Sequence, residues 1–499
     1  MSEIFDVVVA GGGIIGAAAG QQLAAAGYHT LLAERADYGS GTSSRTSRLQ
    51  HCGLGYFSPA GNSFAAFAAR PKFALKCMEL ARRAMRGRNE FVKSSPERVR
   101  KVAFFVPLYD ENSISVWKAR LAFRVMDMFD AGDLPLEVEI LEPAEARRLP
   151  LIGGLRNPDR LRAVVKFSEY QFVWPERIVV DTIMKARDIG LEAHNYTGVA
   201  AIDRSGEGWG VTLALPDGGT RLIRTKAIVN AAGVWVDDVT QLARPDAPVL
   251  NVGAKGTNIV VRLSAEYRGY GMETIMRDGE PFYVIPWGDL HYIGPKDNSS
   301  KGTPEGFRAA GSEIDYILNE TNAVFPSLGL TRADVLYSWA GVRPRTAAEG
   351  MVLGSMDVRE HDLSGRGFPN FFVYTGGLLM THRHAGRMLT EAVQRRVNPS
   401  GPQRAIDYGA RLVPSGDSVN PESVAWCAAN EQVRNLSDLI RRRLPDGWNA
   451  DLGLGVAEEA AALYQNHLGW SAAEAARQVA QYQRDVIENY APSHQSIGG

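Results

Sequence analysis

Cysteine is scarce in this 499-residue chain: Cys52, Cys77 and Cys427 are the only three. An odd number at irregular spacing supplies neither a disulfide framework nor a zinc-ligand set, so a reducing compartment is expected. An excess of one charge is also lacking, because 55 Lys and Arg stand against 56 Asp and Glu and leave a net charge of -1. Without a global field to recruit nucleic acid or an anionic membrane, substrate charge has to be read locally. The sequence contains no uninterrupted run of ~18 apolar residues that would span a bilayer. No basic segment precedes the apolar start "MSEIFDVVVAGGG". A cytoplasmic protein is therefore expected, with peripheral contact at the inner face of a membrane left open. Internal repeats, low-complexity runs and a Pro- or Gly-rich linker are absent too, which points to interleaved domains.

What is present is globular: 45% hydrophobic and 22% charged residues, in a chain long enough for two or three domains. Apolar runs at 6–10, 30–34, 226–233, 258–263, 282–287 and 370–377 read as buried strands, with helical patterns between them. In the segment "EQVRNLSDLIRRRL", Val433, Leu436, Leu439 and Ile440 share one face. "SAAEAARQVAQYQRDVIENY" opens with Ser471 and Glu474 in capping-box spacing. A helical C-terminal domain is expected over 415–499, with "RRR" at 441–443 as a solvated helix end.

The segment "FDVVVAGGGIIGAAAGQQLAAAGYHTLLAE" reads as strand, glycine-rich turn, small-residue helix, second strand and terminal acid. Gly11 permits the tight turn, Gly13 lets backbone N–H groups approach a pyrophosphate, and Gly16 allows close packing of helix on sheet. Ile14 and Ile15 open the helix, and Glu34, followed by Arg35, closes the unit where a ribose diol would be bound. A carboxylate there repels a 2′-phosphate, so the dinucleotide is FAD or NAD rather than NADP. Further along, "KAIVNAAGVWVDD" is a late strand ending in small residues. "FFVYTGGLLMTHRHAGRML" runs from a strand through a glycine pair into a helix whose N-terminal N–H groups are suited to a flavin carbonyl.

Together with "SGTSSRTSRLQHCGLGYF", "AKGTNIVV", "YVIPW", "GVRP" and "GGLLMTHR", these segments resemble the FAD-dependent glycerol-3-phosphate dehydrogenase and glycerophosphate oxidase family of the D-amino-acid-oxidase-like superfamily. The resemblance implies FAD as cofactor and an α/β (α+β) fold. A Rossmann-like FAD domain would occupy 1–60, 150–235 and 340–400, interleaved with a mixed-sheet substrate domain at 61–149 and 236–339. It also implies that Gly41, Thr42, Ser43, Ser44, Arg45, Ser47 and Leu49 run along the flavin. Val199, Ala232, Gly233 and Trp235 would contact the cofactor, as would Gly376, Gly377, Leu378, Leu379, Met380 and Thr381.

Oxidising a secondary alcohol requires a base for the hydroxyl proton and a cation for the developing alkoxide. The resemblance assigns His51 as the base and Arg343 as the cation, in contact with both substrate and flavin. Lys255 is expected near flavin or substrate, against the alternative of a solvated strand-edge lysine, and Tyr56 is expected to line the pocket. Where the family places an arginine and a lysine for phosphate, this chain has Gly55 and Leu378. Asn258 replaces a histidine, Lys296 a threonine, and Met380 and His382 replace Thr and Tyr. Lys296, Arg345 and His382 are candidates to meet an anionic group from another direction. The leading expectation is oxidation of a CH–OH group of a polyol phosphate or related anionic polyol derivative. A neutral polyol or hydroxy acid, an amine, and a flavin-binding scaffold without turnover are the alternatives. The acceptor, whether quinone, oxygen or another carrier, is left open.

Overall fold

A computed structural model describes residues 3–50, 52–53, 71–110, 115–130, 134–276, 281–301, 307–349, 351–355 and 358–492. His51, Gly55 and Tyr56 lie outside the described residues.

The first sheet contains β1 (Ile4–Ala10), β2 (Thr30–Ala33), β7 (Glu192–His194), β8 (Gly198–Ser205), β9 (Gly208–Ala214), β10 (Thr220–Asn230), β17 (Arg359–Asp362) and β18 (Phe371–Thr375). Its order is β17-β18-β10-β1-β2-β7, with β9 and β8 continuing antiparallel from β10. β18, β10, β1, β2 and β7 run parallel, which demands cover on both faces and explains the near-continuous apolar run of β1. Helices α1 (Ile14–Ala25), α4 (Pro175–Asp188) and α6 (His382–Gln394) supply one cover.

The second sheet, ten-stranded, is built from β3 (Leu49–Gln50), β4 (Val99–Tyr109), β5 (Glu139–Leu141), β6 (Leu161–Phe172), β11 (Asn251–Val261), β12 (Tyr270–Ile275), β13 (Pro281–Trp287), β14 (Leu290–Lys301), β15 (Val335–Ala348) and β16 (Met351–Ser355). The order is β16-β15-β11-β14-β13-β12-β4-β6-β3, with β5 on β6. One face packs with residues of α2 (Pro71–Ser94), α3 (Val116–Asp130) and the C-terminal helices. The other face is covered by α5 (Gly311–Val324). β6 and the 340–355 segment, assigned from sequence to the cofactor unit, pair here instead. An apolar run does not say which of two sheets it joins.

The C-terminal unit comprises α7 (Pro421–Asn430), α8 (Ala457–Leu468) and α9 (Ala472–Asn489), the last capped by Ser471 accepting from the Glu474 N–H. Between α7 and α8, a π-helical turn at Leu439–Arg443 sends the Leu444 N–H back to the Leu439 carbonyl. Arg441, Arg442 and Arg443 are buried, at 4%, 9% and 0% exposure, which corrects the expectation of a solvated helix end. Periodicity placed them on a helix, but Arg442 and Arg443 find their partner in Asp37, 405 and 406 positions away, while Arg441 donates to the Gly447 carbonyl and stacks on Tyr490.

Candidate active site

A cavity of about 520 Å³ opens at the carboxyl ends of β1, β2, β10 and β18, where a doubly wound sheet binds its ligand. Its floor is the glycine turn. Gly11 has φ +106, and a Cβ there would fall 2.8 Å from the Ala231 carbonyl oxygen. A Cβ on Gly16 would fall 1.8 Å from the Gly11 oxygen, so α1 approaches the turn as closely as backbone permits. The first turn of α1 (Gly13, Ile14, Ile15) lines the cavity, and its N–H groups are the ones a helix cannot satisfy internally. Ser43 Oγ accepts one of them, from Ile14, at 3.0 Å. Glu34 accepts from the N–H groups of Gly12 and Ala36 at 2.6 and 2.8 Å. Burial raises its pKa against the pull of those two bonds.

Gly41, Thr42, Ser43 and Arg45 line the opposite wall. Thr42 Oγ1 donates to the Val342 carbonyl at 2.7 Å. Ser44 donates within the loop, to Ser40 and Gly41, and does not line the cavity. The Ser47 carbonyl accepts from Tyr292 at 2.7 Å, and Leu49 is committed to pairing β3 with β6. Arg35 stacks on Trp235 with its guanidinium 4.4 Å from the ring, closing the end where Val199, Ala232 and Gly233 also lie. At the other end stand Gly376 and Gly377, both with positive φ, and Leu378 and Leu379. One 3-10 turn, Leu379–Thr381, then leads into α6. Met380 is buried in the core of the cofactor sheet.

A second, smaller cavity shares Pro344, Gly376, Gly377 and Leu378 with the first. Arg83 of α2, Arg343 and Arg345 of β15, Thr381, and His384 of α6 line it. Sequence reasoning missed both Arg83 and His384: Arg83 belongs to no motif, and His384 lies within the 371–389 segment one residue past "GGLLMTHR" without being singled out. His384 sits below the usual imidazole range through burial and the nearby charges of Arg83 and Arg387.

Strand alternation sorts the remaining candidates. Arg343 lies opposite Ala254, and Trp339 opposite Asn258, so Arg343, Arg345 and Asn258 share a face. That face abuts the 41–47 loop that lines the cavity, termed the flavin loop for the cofactor it is expected to hold: Trp339 Nε1 donates to the Thr46 carbonyl at 3.3 Å, and a Cβ on Gly341 would fall 2.5 Å from the Arg45 carbonyl oxygen. Lys255 lies opposite Val342 and points the other way, 3.1 Å from Glu313 of α5, which also accepts from Thr257. Lys296, opposite Thr257, holds its ammonium 4.0 Å from the ring of Tyr316, also on α5. Lys255 and Lys296 are thus brought together on the reverse face, away from Arg343. His382 is buried too, with Nδ1 2.7 Å from the Leu379 carbonyl and its ring edge-on to Phe91. Burial holds its pKa down to about 3, so it is neutral and does not supply the expected cation.

Three residues on the same sheet face were not singled out from the sequence, although Tyr283 opens the "YVIPW" segment. Glu169 of β6 accepts from the Cys52 N–H at 2.6 Å and lies 3.9 Å from Arg88 Nε. Burial pushes it up to about 7, as it does Glu273 of β12, where the charge of Glu169 adds to the effect. Tyr283 lies opposite Glu273. The pairings β13–β12, β12–β4 and β4–β6 bring these groups to one surface.

The glycine turn, the open first turn of α1 and the glycine pair before α6 offer backbone donors, and the buried acid at the end of β2 an acceptor, in an arrangement that fits a flavin dinucleotide. Comparison with known proteins agrees. Residues 6–392 match the FAD dependent oxidoreductase (DAO) family. A glycerol-3-phosphate dehydrogenase of Synechocystis is 26% identical across 98% of both chains. A D-erythritol 1-phosphate dehydrogenase of Brucella abortus is 29% identical over 84% of this chain and 79% of its own. Among solved structures, a Bacillus halodurans glycerol-3-phosphate dehydrogenase complexed with FAD superposes with a TM-score of 0.73, at 21% identity, over 99% of this chain and 97% of that one. No helix among the described residues is long and apolar enough to cross a membrane. With its cofactor cradle and its matched residues in agreement, this chain belongs to the DAO family of FAD-dependent oxidoreductases.

Proposed function

We propose that the protein oxidises a CH–OH group of a polyol phosphate or a related anionic polyol derivative. The observation that carries this reading is the small cavity beside the glycine pair, with Arg83, Arg343 and Arg345 in its walls. Arginines gathered around one recess favour an anionic group, with Arg83 shared with Glu79 of its own helix, since charge-assisted bonds are what make phosphate recognition strong. The likeness to dehydrogenases named for glycerol 3-phosphate and erythritol 1-phosphate supports the same substrate class. FAD, when bound, accepts the hydride. In this reading His51 takes the hydroxyl proton, and Arg343 steadies the charge that develops on oxygen. Lys255 has no part in it, because its ammonium is engaged by Glu313.

The competing reading, a neutral polyol or hydroxy acid, draws on Leu378, an apolar side chain at the boundary between the two cavities. Anaerobic mixing of the flavoprotein with polyol phosphates, free polyols, hydroxy acids and amines, followed as loss of flavin absorbance, separates the two. Bleaching by a polyol phosphate is the expected result, and bleaching only by neutral polyols or amines would overturn the proposal. In the same assay His51→Ala and Arg343→Ala should keep FAD yet slow its reduction at least ~100-fold.

A further inference from the structure

The peptide from Glu34 to Gly41 has two sides. Glu34, Arg35, Ala36, Gly39, Ser40 and Gly41 line the flavin cavity. Asp37 and Tyr38 point away from it, 1% and 0% exposed, into residues 432–443 of the C-terminal unit. Asp37 accepts from Arg442 Nε at 2.5 Å, from both Nη atoms of Arg443 (Nη2 at 2.8 Å), and from Asn195 at 2.9 Å. Burial opposes its charge, but the two guanidiniums outweigh that and hold its carboxyl far below the usual range. Tyr38 donates to Gln432 at 2.7 Å. Around Asp37, Arg442 also binds Asp438 at 2.6 Å, and Tyr196 donates to Asp438 at 2.6 Å.

From this cluster to the glycine turn the path is short. The Gly39 N–H donates to the Gly12 carbonyl at 2.9 Å, and the Gly12 N–H donates to Glu34. A Cβ on Gly12 would fall 2.9 Å from the Tyr38 ring. Asp37 is therefore tied through its own loop to the turn that faces the pyrophosphate. A buried carboxylate that loses its cationic partners is left with an uncompensated charge and has to move toward water. If Asp37 moves, the wall formed by Glu34 and Gly39–Gly41 moves with it.

We propose that Arg442 and Arg443 are positioning residues for the flavin dinucleotide: acting through Asp37, they hold the loop that presents Glu34 and Gly39–Gly41 to it. Flavin binding and the docking of residues 432–443 are then one coupled equilibrium, and coupling of this kind is reciprocal.

The test compares full-length apoprotein, stripped of flavin, with the FAD-reconstituted protein by amide hydrogen exchange. FAD should slow exchange at 34–41 and also at 431–444, although the second segment does not line the cavity. Slowing at 34–41 with no change at 431–444 would overturn the proposal. A wild-type protein that takes up no FAD would instead sink the cofactor assignment, so the two failures are distinguishable. Arg442→Gln should release FAD at least ~10-fold faster than wild type, the size expected of a coupling of this kind. A purely structural role predicts a lower melting temperature of the apoprotein with unchanged FAD affinity, which would also overturn the proposal. Tyr38→Phe removes only the bond to Gln432 and covers the case in which Arg442→Gln does not fold. It should weaken FAD binding about twofold or more, the loss of a single neutral hydrogen bond, and unchanged binding would count against the proposal.

Discussion

His382 is neutral because it is buried, and that has a pH signature. Its folded pKa of about 3 lies below the ordinary imidazole value of 6.5. A depressed folded pKa contributes stability that is present above the unfolded value and lost as the pH falls toward the folded one. His361, held down to about 4 by burial and by Arg359 and Arg366, acts in the same sense. Glu169 and Glu273, pushed up to about 7, act oppositely: they penalise the folded state as pH rises from about 4.5 to 7. The melting temperature should therefore fall less steeply between pH 6 and pH 4 in His382→Gln than in wild type, as read by thermal unfolding across that range. Equal slopes would mean His382 protonates without cost. At this scale the sequence reveals residue types but not their surroundings. His382 and Lys296 looked like available cations, and only the tertiary partners Phe91 and Tyr316 show where they are committed.

Among the elements, the β1–α1–β2 unit was the most legible, because a glycine turn, a small-residue helix and a terminal acid each have a steric or electrostatic reason to stand where they do. Gly16 makes the point quantitatively, since a single Cβ would collide with the Gly11 carbonyl at 1.8 Å. Gly16→Ala should force α1 away from the turn at a cost of about 1–3 kcal/mol. It should also weaken FAD retention, because the N–H groups facing the cavity move with the helix. Flavin content after gel filtration, beside a denaturant melt, checks both. The second sheet was less legible. Only β11 and β13 were readable as apolar runs, and whether Lys255 and Arg343 share a face depends on the β11–β15 register, which single-strand periodicity does not encode.

For the molecule as a whole, the parts are locked by buried charge as well as by apolar packing. Arg177 of α4, beneath the first sheet, bonds Asp181 on its own helix and both oxygens of Glu431 at the start of the C-terminal unit. Arg48 bonds Glu176 at 3.0 Å while lying 3.7 Å from the centre of the Trp448 ring and 4.5 Å from that of Trp287. Arg177→Met leaves Glu431 as a buried acid without its main partner and should cost about 3–5 kcal/mol. Thermal unfolding of the wild type should then be one cooperative transition, and two separated transitions would show that the C-terminal unit melts on its own. Sequence gave the class of architecture and the helical tail. It missed the long-range ion pairs because both partners of each are ordinary surface residue types, separated by 128 positions for Arg48–Glu176, 254 for Arg177–Glu431 and 406 for Asp37–Arg443.

Alternation along β11 and β15 has a consequence for how such an enzyme is diversified. Asn258, Arg343 and Arg345 face the flavin loop, whereas Lys255 and Thr257 face α5 through Glu313. The strands thus work as a partition with two independently editable sides. Under the proposed function, a combinatorial library restricted to Asn258, Arg343 and Arg345 would sample new substrate preferences while leaving the α5 anchorage untouched. Natural drift has the same freedom, so the two faces of these strands are able to change on separate clocks.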